Sequence, residues 1–242
     1  MPETAMVAAL ERELWPLVKG WHTTDREYSG RNFRFFEAEN RVAVCGGMGP
    51  EAARRATEAV ISLYQPRVVQ SVGFAGALEG RLQAGEVLEL RCVIDAADGS
   101  RVDTGSGTGV LVSFASVADA GQKAKLAKSY GAQAVDMEAA AVAKGAEAHG
   151  LRFTAIKVIS DEVDFPMPPM GRFIGKDGQF QTGSFAMYVT LRPWFWAGVI
   201  RLARNSAKAS RNLCERLATH SGDPLNATAP RESAAVTKDG DR

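Results

Sequence analysis

The chain is poor in the residues that metal and redox chemistry use most. It has three cysteines and three histidines in 242 residues. Cys45, Cys92 and Cys214 lie far apart with no CxxC pair, so neither a disulfide framework nor a thiolate zinc site is expected. His22, His149 and His220 are equally scattered and make no metal-ligand spacing. No metal and no cofactor is therefore expected. An excess of charge is missing too: 29 basic against 28 acidic residues leave a net charge of +1. That argues against a generally basic, nucleic-acid-binding surface. Long apolar runs are lacking, since the run at 194–200 is far too short to span a bilayer. The first residues carry Glu3, Glu11 and Glu13 and lack the basic start and apolar run of a signal peptide. A cytoplasmic protein is the expectation. One absence is local: no acid stands between Asp177 and Glu215.

What is present is ordinary for a globular protein, with 45% hydrophobic and 24% charged residues, enough chain for one α/β domain with a substantial core. Residues 4–10 read as a buried strand, followed by a short helix opening at Glu11. Residues 32–38 and 41–45 read as paired strands. Pro50 suits the first position of a helix running to about Tyr64. Strands are expected at 68–72, 86–94, 110–114, 133–135 and 153–159, and helices at 117–129 and 137–149. This alternation predicts an α/β/α fold: a central mixed, mostly parallel twisted sheet flanked by helices. Residues 164–183, rich in Pro, Gly, Met and Phe, read as an ordered flap. Residues 184–217 read as helical with a break near Pro193, and 218–242 as a disordered tail. The domain is expected to span 1–217, with no internal repeat.

Four constellations could carry chemistry, and each has a plainer explanation. Ser160-Asp161 closes a buried strand, where a carboxylic acid can serve as a general acid; Ser-Asp after a strand also caps turns. In Asp136-Met137-Glu138 the two carboxylates, two residues apart, would share one face of an extended segment. A carboxylate is the usual acceptor for vicinal ribose hydroxyls, yet acids at a helix start are also favoured by the macrodipole. Glu11 and Glu13 follow the first strand, where one of them could orient a water. The glycine-bearing segments 46–49 and 73–76 could bring backbone N–H groups to a ligand or anion. Neither matches a dinucleotide or P-loop pattern.

The order of these pieces is more specific than any one of them. Over roughly 4–165 the chain resembles the nucleoside phosphorylase/nucleosidase superfamily, and most of all its methylthioadenosine/S-adenosylhomocysteine nucleosidases. Ala8-Ala9-Leu10-Glu11-Arg12-Glu13 is similar to the nucleosidase start, which implies that Glu13 binds the attacking water. Gly46-Gly47-Met48-Gly49 resembles the loop near the water or phosphate. Ser71-Val72-Gly73-Phe74-Ala75-Gly76 resembles the family's Gly-rich turn, and Val135-Asp136-Met137-Glu138-Ala139 its ribose-binding motif. There Met137 would pack on the sugar and Glu138 would take its hydroxyls. Ile159-Ser160-Asp161 resembles the segment whose Asp protonates purine N7, with Ser160 placing it. The implied chemistry is dissociative: Asp161 protonates the leaving purine, the ribosyl ring carries oxocarbenium-like charge, and a water held by Glu13 captures it.

The departures from the family refine this expectation. Phosphorylases of the superfamily use an arginine before the Gly turn and a serine within it; Ser71 and Phe74 stand there instead. Arg54 and Arg55 fall on a helix body. Water is thus favoured over phosphate. No base-stacking phenylalanine follows Val112-Ser113 at the expected place, which Val117 occupies. The Phe165-Pro166-Met167-Pro168-Pro169-Met170 flap could line an apolar channel. Trp194, Phe195 and Trp196 precede Arg201, Arg204, Lys208 and Arg211 at helical spacing. That suits either an anionic membrane interface or a helix docked by its aromatics with its bases in water. Flap and helix together resemble the hopanoid-associated branch, the adenosylhopane nucleosidases. The expected function is hydrolysis of a 5′-modified adenosine to release adenine. A phosphorylase and a non-catalytic nucleoside sensor are the alternatives. The resemblance also implies a homo-oligomer, and the 191–217 helix a peripheral contact at the inner membrane face.

Overall fold

The computed structural model describes residues 2–175 and 177–219. The first strand β1 (Thr4–Ala8) lies at the middle of the sheet, parallel to β4 (Arg41–Cys45) on one side and β5 (Val68–Ala77) on the other. Beyond β4 the hairpin of β2 (His22–Tyr28) and β3 (Arg31–Ala38) extends that edge by antiparallel pairing. On its other side β5 pairs in parallel with β11 (Arg152–Asp161) and by its last residues, antiparallel, with β10 (Ala134–Asp136). β10 continues in parallel to β9 (Val110–Ser113), β9 to β7 (Cys92–Asp95), and β7 carries β8 (Arg101–Asp103) antiparallel; β6 (Val87–Leu90) lies antiparallel along β11. The sheet is mixed, with its parallel strands at the centre. Antiparallel pairings are as numerous as parallel ones, because β2, β6 and β8 add to what the strand–helix alternation implies.

The Ala-rich helices α2 (Pro50–Tyr64) and α4 (Ala139–Ala148) cover one face, sharing a core with Val7, Phe35, Val69 and Ile159. Small side chains let them approach closely: a Cβ at Gly145 would come within 2.7 Å of the Thr57 methyl. The opposite face is covered by α1 (Glu11–Val18) and the second half of α6 (Trp196–Thr219), through Leu14, Val18, Leu213 and Leu217. Helix α3 (Ala120–Tyr130) packs Leu126 with Ile94, Val112 and Val135. Its N-cap is Asp119, so the helix begins three residues later than the start expected at Val117. Two further boundaries differ from expectation. β5 runs on through 73–77, so the Gly-rich segment is strand and not a loop. The expected strand at 86–94 is two strands, β6 and β7, in different parts of the sheet.

The flap at 164–183 carries a 3-10 turn (Met170–Phe173) and a bridge between Ile174 and Phe180, and its last residues already belong to α5 (Thr182–Thr190). The helical stretch after it breaks at Leu191 and resumes in a 3-10 turn (Pro193–Phe195) and α6. Here the docked-aromatic expectation is corrected. Trp194 is 72% exposed and Trp196 49%, and it is the far half of α6, with Ala209, Ser210, Leu213 and Cys214, that is buried. Ala218 and Thr219, expected in the tail, complete α6; the rest of the expected tail lies outside the described residues. Among the described residues no helix is long and apolar enough to cross a membrane.

Candidate active site

The open ends of β1, β5, β10 and β11 meet around a cleft of about 120 Å³. This is the edge where parallel sheets bind ligands. Glu13, Met48, Phe74, Val117, Met137, Glu138, Ser160 and Asp161 all line it. Gly47, Gly49 and Gly73 are not part of its lining.

Glu13 is the third residue of α1, and its side chain folds back over the start of the helix. Its Oε2 accepts the N–H of Ala9 at 3.1 Å and of Leu10 at 3.3 Å, so the acid caps the helix and still borders the cleft. Burial pushes its pKa up, against the pull of Lys157 and these backbone donors. Gly73 makes room for it. A Cβ there would lie 2.7 Å from Glu13 Oε2, and its φ of +137° is one L side chains rarely adopt.

Glu138 sits at the N-cap of α4. Its Oε1 accepts the Gly49 N–H at 2.7 Å and its Oε2 the Met137 N–H at 3.2 Å. Burial first, then the neighbouring Asp136 charge, pushes its pKa up to about 8, with Lys157 pulling the other way. The companion carboxylate does a different job. Asp136 Oδ1 accepts the Ser113 hydroxyl at 2.6 Å, Oδ2 accepts the Ala139 N–H at 2.9 Å, and Lys157 Nζ lies 2.9 Å from Oδ2. Ser113 Oγ in turn accepts the Ala140 N–H at 2.9 Å. Asp136 thus ties the α4 start to β9 and β11, while Glu138 is bonded to the 46–49 segment.

The raised pKa of Glu138 makes a stability prediction with a definite sign. The unfolded carboxyl ionises from about pH 4.5 upward while the folded one stays protonated until about 8. Its contribution is present in full below 4.5 and is lost as pH rises to 8. Glu138→Gln is therefore expected to raise the Tm by at least about 2 °C at pH 8 and to leave it unchanged near pH 4.5, measured by calorimetry across that range.

At the end of β11 the register against β5 shifts between Ile159 and Asp161. Such a bulge re-aims the side chains that follow it. Asp161 is buried. Ser160 Oγ is 2.6 Å from its Oδ1, and Lys123 Nζ is 2.5 Å from its Oδ2 and 2.7 Å from the Glu162 carbonyl. A Cβ at Gly76 would reach 2.9 Å from Asp161 Oδ2, so β5 needs glycine beside the acid.

Two expectations need correction or addition. The 46–49 segment does not offer its N–H groups to an anion. Gly46 and Gly47 donate to the Ala8 and Ala9 carbonyls, Met48 donates to Gly178 of the flap at 2.8 Å, and Gly49 donates to Glu138. Met48 also lines the cleft. Both buried lysines went unread from the sequence. Lys157 is visible in hindsight as a lone cation in a β-branched strand; Asp136, Glu138 and Glu13 hold its ammonium above the ordinary lysine range although burial opposes it. Nothing in the sequence sets Lys123 apart from Lys125 or Lys128 on the same helix. Among the described residues no group of His, Cys, Asp and Glu could hold a metal ion.

Phe74, Met170 and Leu202 also border a neighbouring groove of about 1000 Å³, walled by Trp15, Phe180, Phe185 and Val199. Arg12 lines both spaces.

The model of the phosphorylase superfamily matches residues 3–121 and 90–173, and the chain belongs to that family. Its fold is also that of solved nucleosidases. A futalosine hydrolase of Helicobacter pylori superposes with a TM-score of 0.64 at 16% identity, covering 90% of this chain and 98% of that one. A point mutant of the methylthioadenosine nucleosidase of that organism, with 5′-methylthioadenosine in its active site, gives 0.64 at 17%, covering 90% and 99%. The Neisseria meningitidis methylthioadenosine/S-adenosylhomocysteine nucleosidase with methylthio-immucillin-A gives 0.67 at 18%, covering 90% and 97%. The search of curated proteins gave no match.

Proposed function

We propose that the chain, through a domain spanning 1–217, hydrolyses the N-glycosidic bond of a 5′-modified adenosine and releases adenine. The observation that carries this reading is that Glu13, Glu138 and Asp161 line one cleft, beside which lies a wide apolar groove. Asp161, placed by Ser160, delivers a proton to the purine; Glu138 holds the ribose hydroxyls with Met137 packed on the sugar; Glu13 orients and deprotonates the water. Phe74 and Val117 border the base and the 5′ side. Water is favoured as nucleophile because the N–H groups of 46–49 are committed inside the protein. Arg54 and Arg55 are held by Glu51 on the helix surface, at 2.9 and 2.7 Å.

The groove supports a large apolar 5′ group, as in a lipid-linked adenosine of the adenosylhopane kind, over the small methylthio group. Apolar walls of this extent gain from every methylene they take out of water. Release of adenine from adenosine, methylthioadenosine and an adenosine with a long alkyl 5′ chain, each with and without phosphate, tests the reading. The long-chain compound is expected to have the highest kcat/KM, with no phosphate requirement. Release only with phosphate would establish a phosphorylase acting through Arg12, and binding without turnover a sensor.

The helical face beside the groove supports peripheral contact with an anionic membrane. Met187, Leu191, Trp194, Trp196 and Ile200 are exposed. Arg204, Lys208 and Arg211 follow on α6, also exposed. Trp194→Ala with Trp196→Ala is expected to lower co-sedimentation with anionic phosphatidylglycerol vesicles about tenfold and to leave activity on a soluble nucleoside unchanged. A homo-oligomer belongs to the same reading, and light scattering of the purified chain measures it.

A further inference from the structure

We propose that Lys123 and Asp161 form one proton-donating dyad, in which the lysine ammonium stores the proton that the carboxylate passes to the purine. The inference rests on the hydrolytic reading and names a residue beyond it. Both side chains are buried, at 3% and 6% exposure, and Nζ lies 2.5 Å from Oδ2. Each carboxylate oxygen is already occupied: Ser160 Oγ is on Oδ1 and Lys123 on Oδ2. Two donors thus already face the acid, and Lys123 is the one that carries protons to pass on. Lys123 has three N–H bonds, two of them spent on Asp161 and on the Glu162 carbonyl, and it lines the cleft beside Asp161. Helix α3 brings it there from a different part of the sheet, anchored by the Asp119 cap.

The other charged groups lining the cleft are Arg12, Glu13, Asp136 and Glu138. Lys157 is held by Asp136 at 2.9 Å. Lys123 is therefore the cation in contact with the acid.

The step balances as follows. As the bond between C1′ and N9 breaks and its electron pair moves into the purine, an Nζ–H bond breaks and an Oδ2–H bond forms. That proton passes on, breaking Oδ2–H and forming N7–H. Water adds its oxygen to C1′ and gives a proton to Glu13. Through solvent, that proton restores the one Lys123 lost when adenine leaves.

Two variants separate this role from charge or packing. Arginine at 123 keeps the positive charge on Asp161 but does not release its proton, since a guanidinium stays protonated in proteins. Methionine removes the charge, and a buried carboxylate stripped of its cation takes up a proton itself. On the purine nucleoside, Lys123→Arg is expected to lose about 100-fold or more in kcat. Lys123→Met is expected to lose less, with its activity moved to lower pH. On 4-nitrophenyl riboside, whose phenolate leaves without a proton, Lys123→Arg should lose far less than it does on the purine nucleoside. Lys123→Arg equal to or better than Lys123→Met on the purine substrate would overturn the proposal, as would an equal loss by Lys123→Arg on both substrates. An unmodified protein that cleaves no nucleoside, with or without phosphate, sinks instead the hydrolytic reading on which the proposal rests.

Discussion

Asp161→Asn is expected to reduce adenine release by about 10²–10⁴-fold, the usual worth of a positioned general acid, with little change in KM. The amide is nearly isosteric with the acid, so Ser160 and Lys123 keep a neighbour of the same shape, but it can neither receive a proton from Nζ nor pass one on. The discriminating control is the leaving group. With a nitrophenyl riboside the same variant should lose far less, because the departing group needs no proton. Steady-state kinetics on both substrates, with a melting curve to show that the variant is folded, decides the matter. Equal losses on both substrates would remove Asp161 from the chemistry and leave it as the partner of a buried lysine.

Lys157→Met is expected to destabilise the fold by about 3–5 kcal/mol, the cost of leaving a buried charge without its partner. Asp136 would keep Ser113 and the Ala139 N–H, but the cation 2.9 Å away would be gone. Glu13 and Glu138 would lose the same charge, which lowers the pKa of both. Adding Asp136→Asn should recover much of the stability, since a neutral amide needs no cation. Urea denaturation of the single and double variants gives the numbers. A single variant within about 0.5 kcal/mol of the parent would show that Asp136 simply protonates at little cost.

The residues that were legible in the sequence are those whose local pattern matches their tertiary role. β1, β4 and β11 read as strands because they are apolar on both faces, and α2 read from its proline start and its alanine stripe. β2 was invisible: His-Thr-Thr-Asp-Arg-Glu-Tyr is polar throughout, and it is a strand because its backbone completes the exposed edge beside β3. β5 looked as if it stopped at Gly73, yet the glycines there are strand residues that clear space for Glu13 and Asp161. Glu13, Glu138 and Asp161, far apart in the chain, line one cleft. Their two lysine partners come from α3 and from inside β11, and which lysine faces a buried acid is settled by packing across the sheet, which a linear pattern does not carry. The same holds for the amides of 46–49, whose acceptors lie on β1, the flap and α4.

Those amides also make a latch. Met48 donates to Gly178 of the flap, and the next residue, Gly49, donates to the Glu138 carboxylate. Flap and Glu138 are thereby tied through two successive amides of one segment, so a shift of the backbone at Gly178 bears on the amide beside the one that Glu138 accepts.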